Sequence, residues 1–400
     1  MFKNKIKHLI KNNPFLYEIC FHTYSWIMKL FCAVSPVNNN RILFCSLSGR
    51  NFDDSPKAIY DEILNRHEFD DWELYWAFKN PENFSIPRGE VIKFGGLSYW
   101  KTLFSSKVWI GNGGIDNGLD LSPFNRVVVN TWHGSVLKKS EGEENSDAVL
   151  KHYRSNKKMD NRTIRCIQND FDLKTYTRLF RASSDCFLKS GLPRNDILLK
   201  YSDEDKRRIK EQLGIEDHKK IILYMPTYRE YLINDSFQTY IAPPISFEKW
   251  EKELSGDYVF FIRAHYAVVS ALNIQENTFL RDVSKYEPLS ELYLIADLLI
   301  TDYSSCFYDY SILEKPVLCF AYDREEYEAK RGLYLKLEDV MPCGIFYNEN
   351  ELIDKIKTID YDAEHKRMIE FKKKWLKYYG NASKDVVDAI LSKMGNNIAS

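Results

Sequence analysis

The chain has 400 residues, which is more than one hydrophobic core usually serves, so its length favours two domains. Its charged residues nearly cancel to a formal net charge of -1, which excludes a strong overall field for nucleic acid. Its eight cysteines include no CxxC pair and lie in apolar stretches such as LFCSL and PVLCF, which argues against a disulfide or zinc framework and favours reduced thiols in a cytoplasmic protein.

The N-terminal segment is the one part of the sequence that indicates a membrane. Residues 15–34 are long enough to span a bilayer, for which about 20 apolar residues suffice. Four polar residues interrupt them, Glu18, His22, Ser25 and Lys29. Their spacing places them on one face of a helix. Together with a basic leader at residues 1–11, this pattern predicts that residues 1–36 form an amphipathic segment on a membrane surface, with a spanning helix and an ordinary core helix as alternatives.

Beyond Pro36 the sequence alternates between predicted strands and helices. A helix is predicted at 55–64, with Ser55 as its N-cap, and another near 97–105. The predicted strands of the first half are RILFCS, WELYWAF, VIKF, KVWIGN and RVVVNTW. Those of the second half lie in KKIILYMPTYRE, YVFFIRAHY, LYLIADLLITDYSS and KPVLCFAYD.

These strands are apolar throughout, which is typical of parallel sheets covered on both faces by helices. The sequence therefore predicts an α/β protein with two Rossmann-like, doubly wound domains. We place the first at residues 37–212 and the second at 213–400, with a last helix that could cross back to the first.

Imidazole, guanidinium and hydroxyl groups follow four of the predicted strands, at the edge where open α/β sheets bind ligands. The residues are His133 and Ser135, then Thr227 and Arg229, then Arg263 and His265, then Thr301, Asp302, Ser304 and Ser305. Each has a structural explanation by itself: a lone histidine at a strand end is more often structural than catalytic, and TDYSS is an ordinary helix cap. Their coincidence at one edge favours a binding site. The stretch GNGGIDNG (111–118) fits no phosphate-loop pattern and is interpreted as a flexible turn.

This set of groups suits a nucleotide diphosphate and an acceptor hydroxyl. Arg263, Lys138 or Lys139, and a helix N-terminus at Ser304 and Ser305, offer cations and N–H donors to a pyrophosphate. Histidine offers a base with a pKa near neutrality. No paired carboxylates or DxD-like motif stands out, so we expect no cofactor and no metal. A need for Mg²⁺ is not indicated, although Asp302 leaves it open.

TWHGSVLKK (131–139), GLPRND (191–196), YMPTYRE (224–230), RAHY (263–266), a long run at 286–310 and KRGLY (330–334) occur in this order. Over roughly residues 40–380 this series resembles the CDP-glycerol glycerophosphotransferase family of teichoic acid and capsule synthesis. The resemblance implies a glycosyltransferase-B-like fold, with two domains facing a cleft. It also implies a peripheral protein on the cytoplasmic face of a bacterial membrane.

The resemblance implies that the protein transfers a polyol phosphate, most simply glycerol 3-phosphate, from a CDP-linked donor and releases CMP. The acceptor implied is a hydroxyl of a lipid-linked molecule or of a polymer. The resemblance implies His133 and His265 as catalytic residues. The donor-binding residues would be Arg263, Thr301, Asp302, Ser304, Ser305, Thr227 and Arg229. Those for the acceptor or its phosphates would be Ser135, Lys138, Lys139, Arg194 and Asn195.

The family commonly has HGTPLKK where this chain has Ser135 and Val136. The hydroxyl is kept, but the loop loses the fixed φ of a proline, which puts the geometry of acceptor binding in doubt. One alternative function is an ordinary sugar transferase of the same fold, which would release a nucleoside diphosphate instead of CMP. Another is a non-catalytic scaffold that binds nucleotide or membrane. The sequence leaves open which polyol phosphate is moved, whether one unit is added or many, and the oligomeric state.

Overall fold

The computed structural model describes residues 13–119, 121, 125–139, 162–180, 182–229, 231, 242–265, 268–269, 272 and 274–395. The basic leader at 1–11 and Tyr266 of the RAHY stretch lie outside these residues. The chain forms two compact units. The first contains the described residues of Met1–His133, Ser140–Asp196 and Tyr378–Ser400, and the second those of Gly134–Lys139 and Ile197–Lys377.

Helices and strands alternate along most of the chain. The strands are β1 (Asn38–Cys45), β2 (Glu73–Phe78), β3 (Glu90–Lys93), β4 (Ser106–Gly111), β5 (Val127–Asn130), β6 (Thr163–Cys166), β7 (Phe187–Leu188), β8 (Lys220–Met225), β9 (Tyr258–Ile262), β10 (Leu280–Asp282), β11 (Leu298–Thr301), β12 (Val317–Phe320) and β13 (Ile345–Phe346). The helices are α1 (Pro14–Val34), α2 (Asp54–Leu64), α3 (Leu97–Ser105), α4 (Asp170–Leu179), α5 (Asp203–Gln212), α6 (Phe247–Leu254), α7 (Leu289–Ile295), α8 (Cys306–Tyr310), α9 (Arg324–Lys330), α10 (Leu337–Val340), α11 (Glu349–Lys357), α12 (Tyr361–Trp375) and α13 (Ala382–Gly395).

Each unit is built on one parallel sheet. The order is β3-β2-β1-β4-β5-β6-β7 in the first unit and β10-β9-β8-β11-β12-β13 in the second. When the strands are numbered separately in each unit, both sheets contain the doubly wound order 3-2-1-4-5-6. The strand order reverses between β1 and β4 in the first sheet and between β8 and β11 in the second. The prediction of an α/β protein with parallel sheets is therefore confirmed. The predicted ligand edge lies beyond the carboxyl ends of these strands.

The core of the first unit covers both faces of its sheet, as the apolar strands predict. Along β1, Ile42 and Phe44 pack with residues of α2 and α13, whereas Leu43 and Cys45 pack with residues of α1 and α3. Successive side chains of a strand point to opposite faces, so an uninterrupted apolar run is what such a sheet requires.

Helix α1 packs on the first unit through one side, where Ser25, Met28 and Cys32 are buried, and it exposes large apolar side chains elsewhere. The buried guanidinium of Arg126 donates to the carbonyl of Cys32 at 2.8 Å and to that of Phe104. The large side chains left exposed are Phe15, Leu16, Ile19, Tyr24, Trp26, Ile27, Leu30, Phe31 and Val34. Within the described residues, no helix has the length and apolar content that crossing a bilayer needs.

Two boundaries differ from those expected from the sequence. Helix α2 begins at Asp54, with Asp53 as the N-cap residue, so Ser55 lies inside the helix and is buried. The long segment of the second unit begins at Ile197 instead of residue 213, because α5 packs on α7 and buries Ile209. Helix α13 belongs to the first unit, to which the last helix was expected to cross back.

Candidate active site

The loop that follows β5 has a strained backbone. Trp132 has φ 61° and Gly134 has φ 156°, and a left-handed conformation is rare for a large residue such as tryptophan. The amide of Trp132 donates to Oδ1 of Asn130 at 3.1 Å, and that of Thr131 donates to the carbonyl of Gly111 at 3.0 Å. Strain of this kind persists where surrounding contacts hold it, and it is frequent at functional sites.

His133 lies in this loop and has the surroundings of a neutral base. Its ring packs on Trp132, with centroids 4.2 Å apart and planes at 29°. The imidazole has accessible surface, yet dense protein around it lowers its pKa by desolvation, and the charge of Arg194 lowers it further. A hydrogen bond to the carbonyl of Asn112 acts in the opposite direction. A neutral imidazole has one donor and one acceptor nitrogen, so the lowered pKa favours a ring that can accept a proton.

Asn112 was not expected to take part in a site, because the stretch that contains it was interpreted as a flexible turn. The residue is fully buried at the end of β4. Its Oδ1 accepts from the amide of Leu47 at 2.8 Å, and its Nδ2 donates to Oγ of Ser46 at 3.4 Å. These bonds fix the carbonyl that orients His133. Its place at the end of the strand beside the switch point was the signal that could have identified it.

The GLPRND stretch brings Arg194 to the His133 loop. Arg194 donates from Nη2 to the carbonyl of His133 at 3.1 Å and from Nη1 to Asp54 at 2.9 Å. Gly191 has φ 82°, and a Cβ there would lie 2.5 Å from the carbonyl oxygen of Tyr378, so the turn requires glycine. The predicted acceptor residue Arg194 is therefore at the site.

Asn195 and Asp196, from the same stretch, serve the fold. Asn195 is buried, and its Nδ2 donates to Oε1 of Gln168 at 3.3 Å. Asp196 accepts from the amides of Ala382 and Ser383 at 2.9 and 2.7 Å, which caps the start of α13. The side chain of Asn195 is thus held by Gln168, which follows β6.

The segment after His133 counts with the second unit and pairs there with the KRGLY stretch. Lys138 forms an antiparallel bridge with Leu333. The amide of Lys139 donates to the carbonyl of Gly332 at 3.1 Å, and Arg331 donates to the carbonyl of Lys139 at 2.7 Å. Two of the stretches that carried the family resemblance therefore meet. Ser135, at the start of the same segment, is buried.

A closed ionic cluster connects the strand ends of the second unit. The carboxylate of Asp302 accepts from Nη1 of Arg229 at 2.7 Å and from the amide of Thr227 at 2.9 Å. Arg229 also forms a bidentate pair with Asp323, at 2.8 and 2.9 Å. Burial alone would lower the pKa of Arg229, but the two carboxylates raise it above its ordinary value. This cluster orients the loops after β8 and β11. Both carboxylate oxygens of Asp302 accept hydrogen bonds within it.

Aromatic rings surround the guanidinium of Arg229. Its Cζ lies 5.0, 5.4 and 5.2 Å from the ring centroids of Tyr303, Tyr322 and Tyr327. The hydroxyl of Thr301 also has an internal partner, since it donates to the carbonyl of Met225 at 2.8 Å. Four of the predicted donor residues, Thr227, Arg229, Thr301 and Asp302, are therefore buried in contacts within the unit.

Arg263 and His265 follow β9, and the structure gives them different surroundings. Arg263 donates to the carbonyls of Val283 and Tyr286, and its Nη2 pairs with Glu287 at 2.9 Å. His265 is exposed, and its ring lies 4.4 Å from that of Tyr228, which follows β8. The imidazole is therefore the more accessible of the two groups.

Ser304 and Ser305 follow β11 and precede α8. Both are partly exposed, and Oγ of Ser304 accepts from the amide of Cys306 at 3.3 Å. Ser305 is the N-cap residue of α8 and makes no side-chain cap there. With His265 and Tyr228, these hydroxyls form the accessible part of the predicted donor region.

Among the described residues, no group of three or more His, Cys, Asp or Glu side chains is placed to hold a metal ion. The expectation of a metal-independent enzyme stays a prediction.

The chain is similar to proteins of known function. The sequence profile of the CDP-Glycerol:Poly(glycerophosphate) glycerophosphotransferase family matches residues 27–392. The teichoic acid glycerol-phosphate transferase of Staphylococcus aureus (strain NCTC 8325 / PS 47) is 32% identical over 379 residues, which are 91% of this chain and 92% of that protein. The structure of the wall teichoic acid polymerase TagF has a TM-score of 0.81 at 26% identity, over 99% of this chain and 98% of that one. A TagF variant soaked for 15 minutes with CDPG has a TM-score of 0.82 at 26% identity, over 99% and 98%.

Proposed function

This chain belongs to the CDP-glycerol:poly(glycerophosphate) glycerophosphotransferase family, and on that premise we propose that it transfers glycerol phosphate from CDP-glycerol to a hydroxyl of a teichoic acid acceptor, releasing CMP. The observation that carries this proposal is the environment of His133. An accessible imidazole that lies beyond a strand end, and whose pKa is lowered by the protein around it, has the properties of a general base.

In the proposed reaction, the acceptor nitrogen of His133 takes the proton of the acceptor hydroxyl. The hydroxyl oxygen then bonds to the phosphorus that carries glycerol. The bond from that phosphorus to the bridging oxygen breaks, and CMP leaves with the electron pair. The packing of the imidazole on Trp132 supports this step, because it holds the ring in one orientation as the proton arrives.

The donor binds, in this proposal, at the carboxyl edge of the second sheet. His265 and the hydroxyls of Ser304 and Ser305 would contact its phosphates, and Arg263 would contribute positive charge. The cluster of Arg229 and Asp302 would hold the loops that carry these groups. The cleft predicted between the domains stays a prediction.

We propose further that the protein lies on the cytoplasmic face of a membrane and acts on a lipid-linked acceptor. The support is the exposed apolar side of α1, where Phe15, Trp26 and Phe31 are 70%, 65% and 56% accessible. Leu97, at the start of the neighbouring α3, is 92% accessible. Contiguous exposed apolar surface of this kind usually marks an interaction site, and an interfacial helix buries such a face among lipid headgroups.

The test is to identify the nucleotide that the enzyme releases. The protein is incubated with a lipid-linked teichoic acid acceptor and, in turn, CDP-glycerol, CDP-ribitol or a nucleotide sugar, with and without EDTA. We expect CMP from CDP-glycerol in both conditions, and an acceptor heavier by glycerol phosphate units. Release of a nucleoside diphosphate from a nucleotide sugar would support the sugar transferase, turnover of no donor would support the scaffold, and loss of activity in EDTA would refute metal independence.

A further inference from the structure

Arg165 is a buried arginine without a carboxylate partner among the described residues. It lies on β6 and is 3% exposed. Its Nε and Nη1 have no hydrogen-bond partner among the residues that the structure describes. Burial lowers the pKa of its guanidinium to about 10. A charge kept in the interior without a counter-ion is costly, so an apolar residue would serve packing alone better.

Aromatic rings take the place of a counter-ion. The Cζ of Arg165 lies 3.9 Å from the ring centroid of Phe180 and 4.9 Å from that of Trp132. Such distances allow cation–π attraction, which is strongest for tryptophan and increases when the site is desolvated. The ring of Phe180 also meets that of Trp132 edge to face, at 5.5 Å and 74°. Trp132 is thus held by a guanidinium and an aromatic ring together.

Trp132 is also the residue with the left-handed backbone beside His133. Its indole packs on the imidazole at 4.2 Å. Contacts therefore run from Arg165 through Trp132 to His133, so a shift of the indole would displace the imidazole that packs on it.

We infer that Arg165 is a positioning residue for His133, which it orients by holding the indole of Trp132 in place. The inference rests on the proposed role of His133 as the base. The guanidinium also disfavours a second positive charge nearby, which supports the neutral imidazole that a base requires.

Four groups face the imidazole and set its protonation. Arg194, from the turn after β7, and Arg165, from β6, lower its pKa, whereas Asp54, at the start of α2, and the backbone of Asn112, after β4, raise it. Removal of the Arg165 charge is therefore expected to raise the pKa of His133.

The test compares Arg165→Met and Arg165→Lys with the matched control Arg126→Met. Arg126 is also buried in the first unit and lies beside an indole, with its Cζ 5.9 Å from the ring of Trp109, and its guanidinium donates to the carbonyls of Cys32 and Phe104. For each variant we would measure kcat and the donor KM against pH. The pKa of His133 would be measured directly by NMR of histidine-labelled protein, with the signal assigned from its loss in His133→Ala.

For Arg165→Met we expect kcat to fall about 10- to 100-fold with an unchanged donor KM, because a small misplacement of a catalytic group can cost that much. The pKa of His133 should rise, and the acid limb of the pH profile, which is the pH range where kcat falls on the acid side, should move to higher pH. Arg165→Lys keeps the positive charge but loses the planar group that stacks on the aromatic rings. Its kcat should therefore fall less, and the pH at which its activity falls on the acid side should not change. Arg126→Met should show neither change of limb nor change of pKa.

The inference would be overturned if Arg165→Met left both kcat and the pKa of His133 unchanged. It would also be overturned if Arg126→Met moved the pKa of His133 by as much as Arg165→Met does. If Arg165→Met does not fold, Arg165→Lys decides, and a wild-type kcat in that variant would overturn the inference. If His133→Ala keeps full activity, the proposed base is wrong. In that case the NMR pKa in Arg165→Met still tests the contact on its own.

Discussion

Arg194 donates from Nη2 to the carbonyl oxygen of His133 at 3.1 Å, across 61 positions of sequence. Its Nη1 pairs at 2.9 Å with Asp54, which has φ 60° at the start of α2. One guanidinium thus joins the strained loop after β5 to the helix after β1. The backbone of the proposed base is held from this side, and its ring is held by Asn112 and Trp132.

Replacement of Arg194 by methionine should slow the reaction by about tenfold or more, because a hydrogen bond from a charged group contributes about 1.5 to 3 kcal/mol. The charge of Arg194 lowers the pKa of His133, so the variant should also move the acid limb of kcat to higher pH. Arg66→Met is the control, since Arg66 pairs in the same unit with Glu62 and Asp388. Wild-type kcat and an unmoved limb in Arg194→Met would contradict this role.

Arg229 should matter for stability before it matters for donor binding. Removal of one partner from a buried ion pair typically costs about 3 to 5 kcal/mol, so Arg229→Met should lower the free energy of unfolding by that order in a denaturant titration. Arg324→Met, which removes more exposed ion pairs with Glu328 and Glu338, should cost about 1 kcal/mol or less. If Arg229→Met keeps its stability and loses only donor affinity, the residue contacts the donor directly, as the sequence predicted.

The apolar side of α1 should bind lipid. Trp26→Ser with Phe31→Ser should weaken flotation with anionic vesicles at least tenfold, because burial of each such side chain contributes about 1.5 to 3 kcal/mol. The unfolding transition should not change, since both residues are exposed. Leu199→Ser, at an exposed leucine of the second unit, is the control. Deletion of residues 1–35 is a poorer test, because it removes Met28 and Cys32 from the core. Equal flotation of the double variant and wild type would refute the membrane proposal.

The pH dependence of wild-type kcat should reflect the lowered pKa of His133. The base must be neutral, and a pKa below the ordinary value of 6.5 keeps it neutral at lower pH. Activity should therefore persist below pH 6.5 and fall only as the pH passes through the lowered pKa. A fall of activity centred above pH 6.5 would show that another group is the base.

Much of the fold could be predicted from the sequence. The middle strands β1, β4 and β8 contain the apolar runs ILFC, VWI and IILY, which are buried because both faces of the sheet are covered, and such runs are visible in the sequence. The short edge strands β7, β10 and β13 have two or three residues and were not predicted, because so short a segment has no detectable period.

The candidate site was predicted only in part. His133 and Arg194 stand out because charged or imidazole groups at strand and turn ends are conspicuous in a sequence. Asn112 and Arg165 act through a carbonyl and through ring stacking, and neither interaction has a residue pattern. Arg229 and Asp302 were expected to face the donor, but their opposite charges, 73 positions apart, neutralise each other in the interior. Such a pairing cannot be inferred from either residue alone.

The most direct measurement is CMP release from CDP-glycerol by His133→Ala, with His67→Ala as a control at an exposed histidine of the same unit. We predict that kcat falls about 10²- to 10⁴-fold in His133→Ala, the usual contribution of a general base, with unchanged donor affinity and a cooperative unfolding transition. His67→Ala should match wild type. A folded His133→Ala protein that releases CMP at the wild-type rate would contradict the account, and so would a variant that has lost its cooperative transition, because the histidine would then be structural.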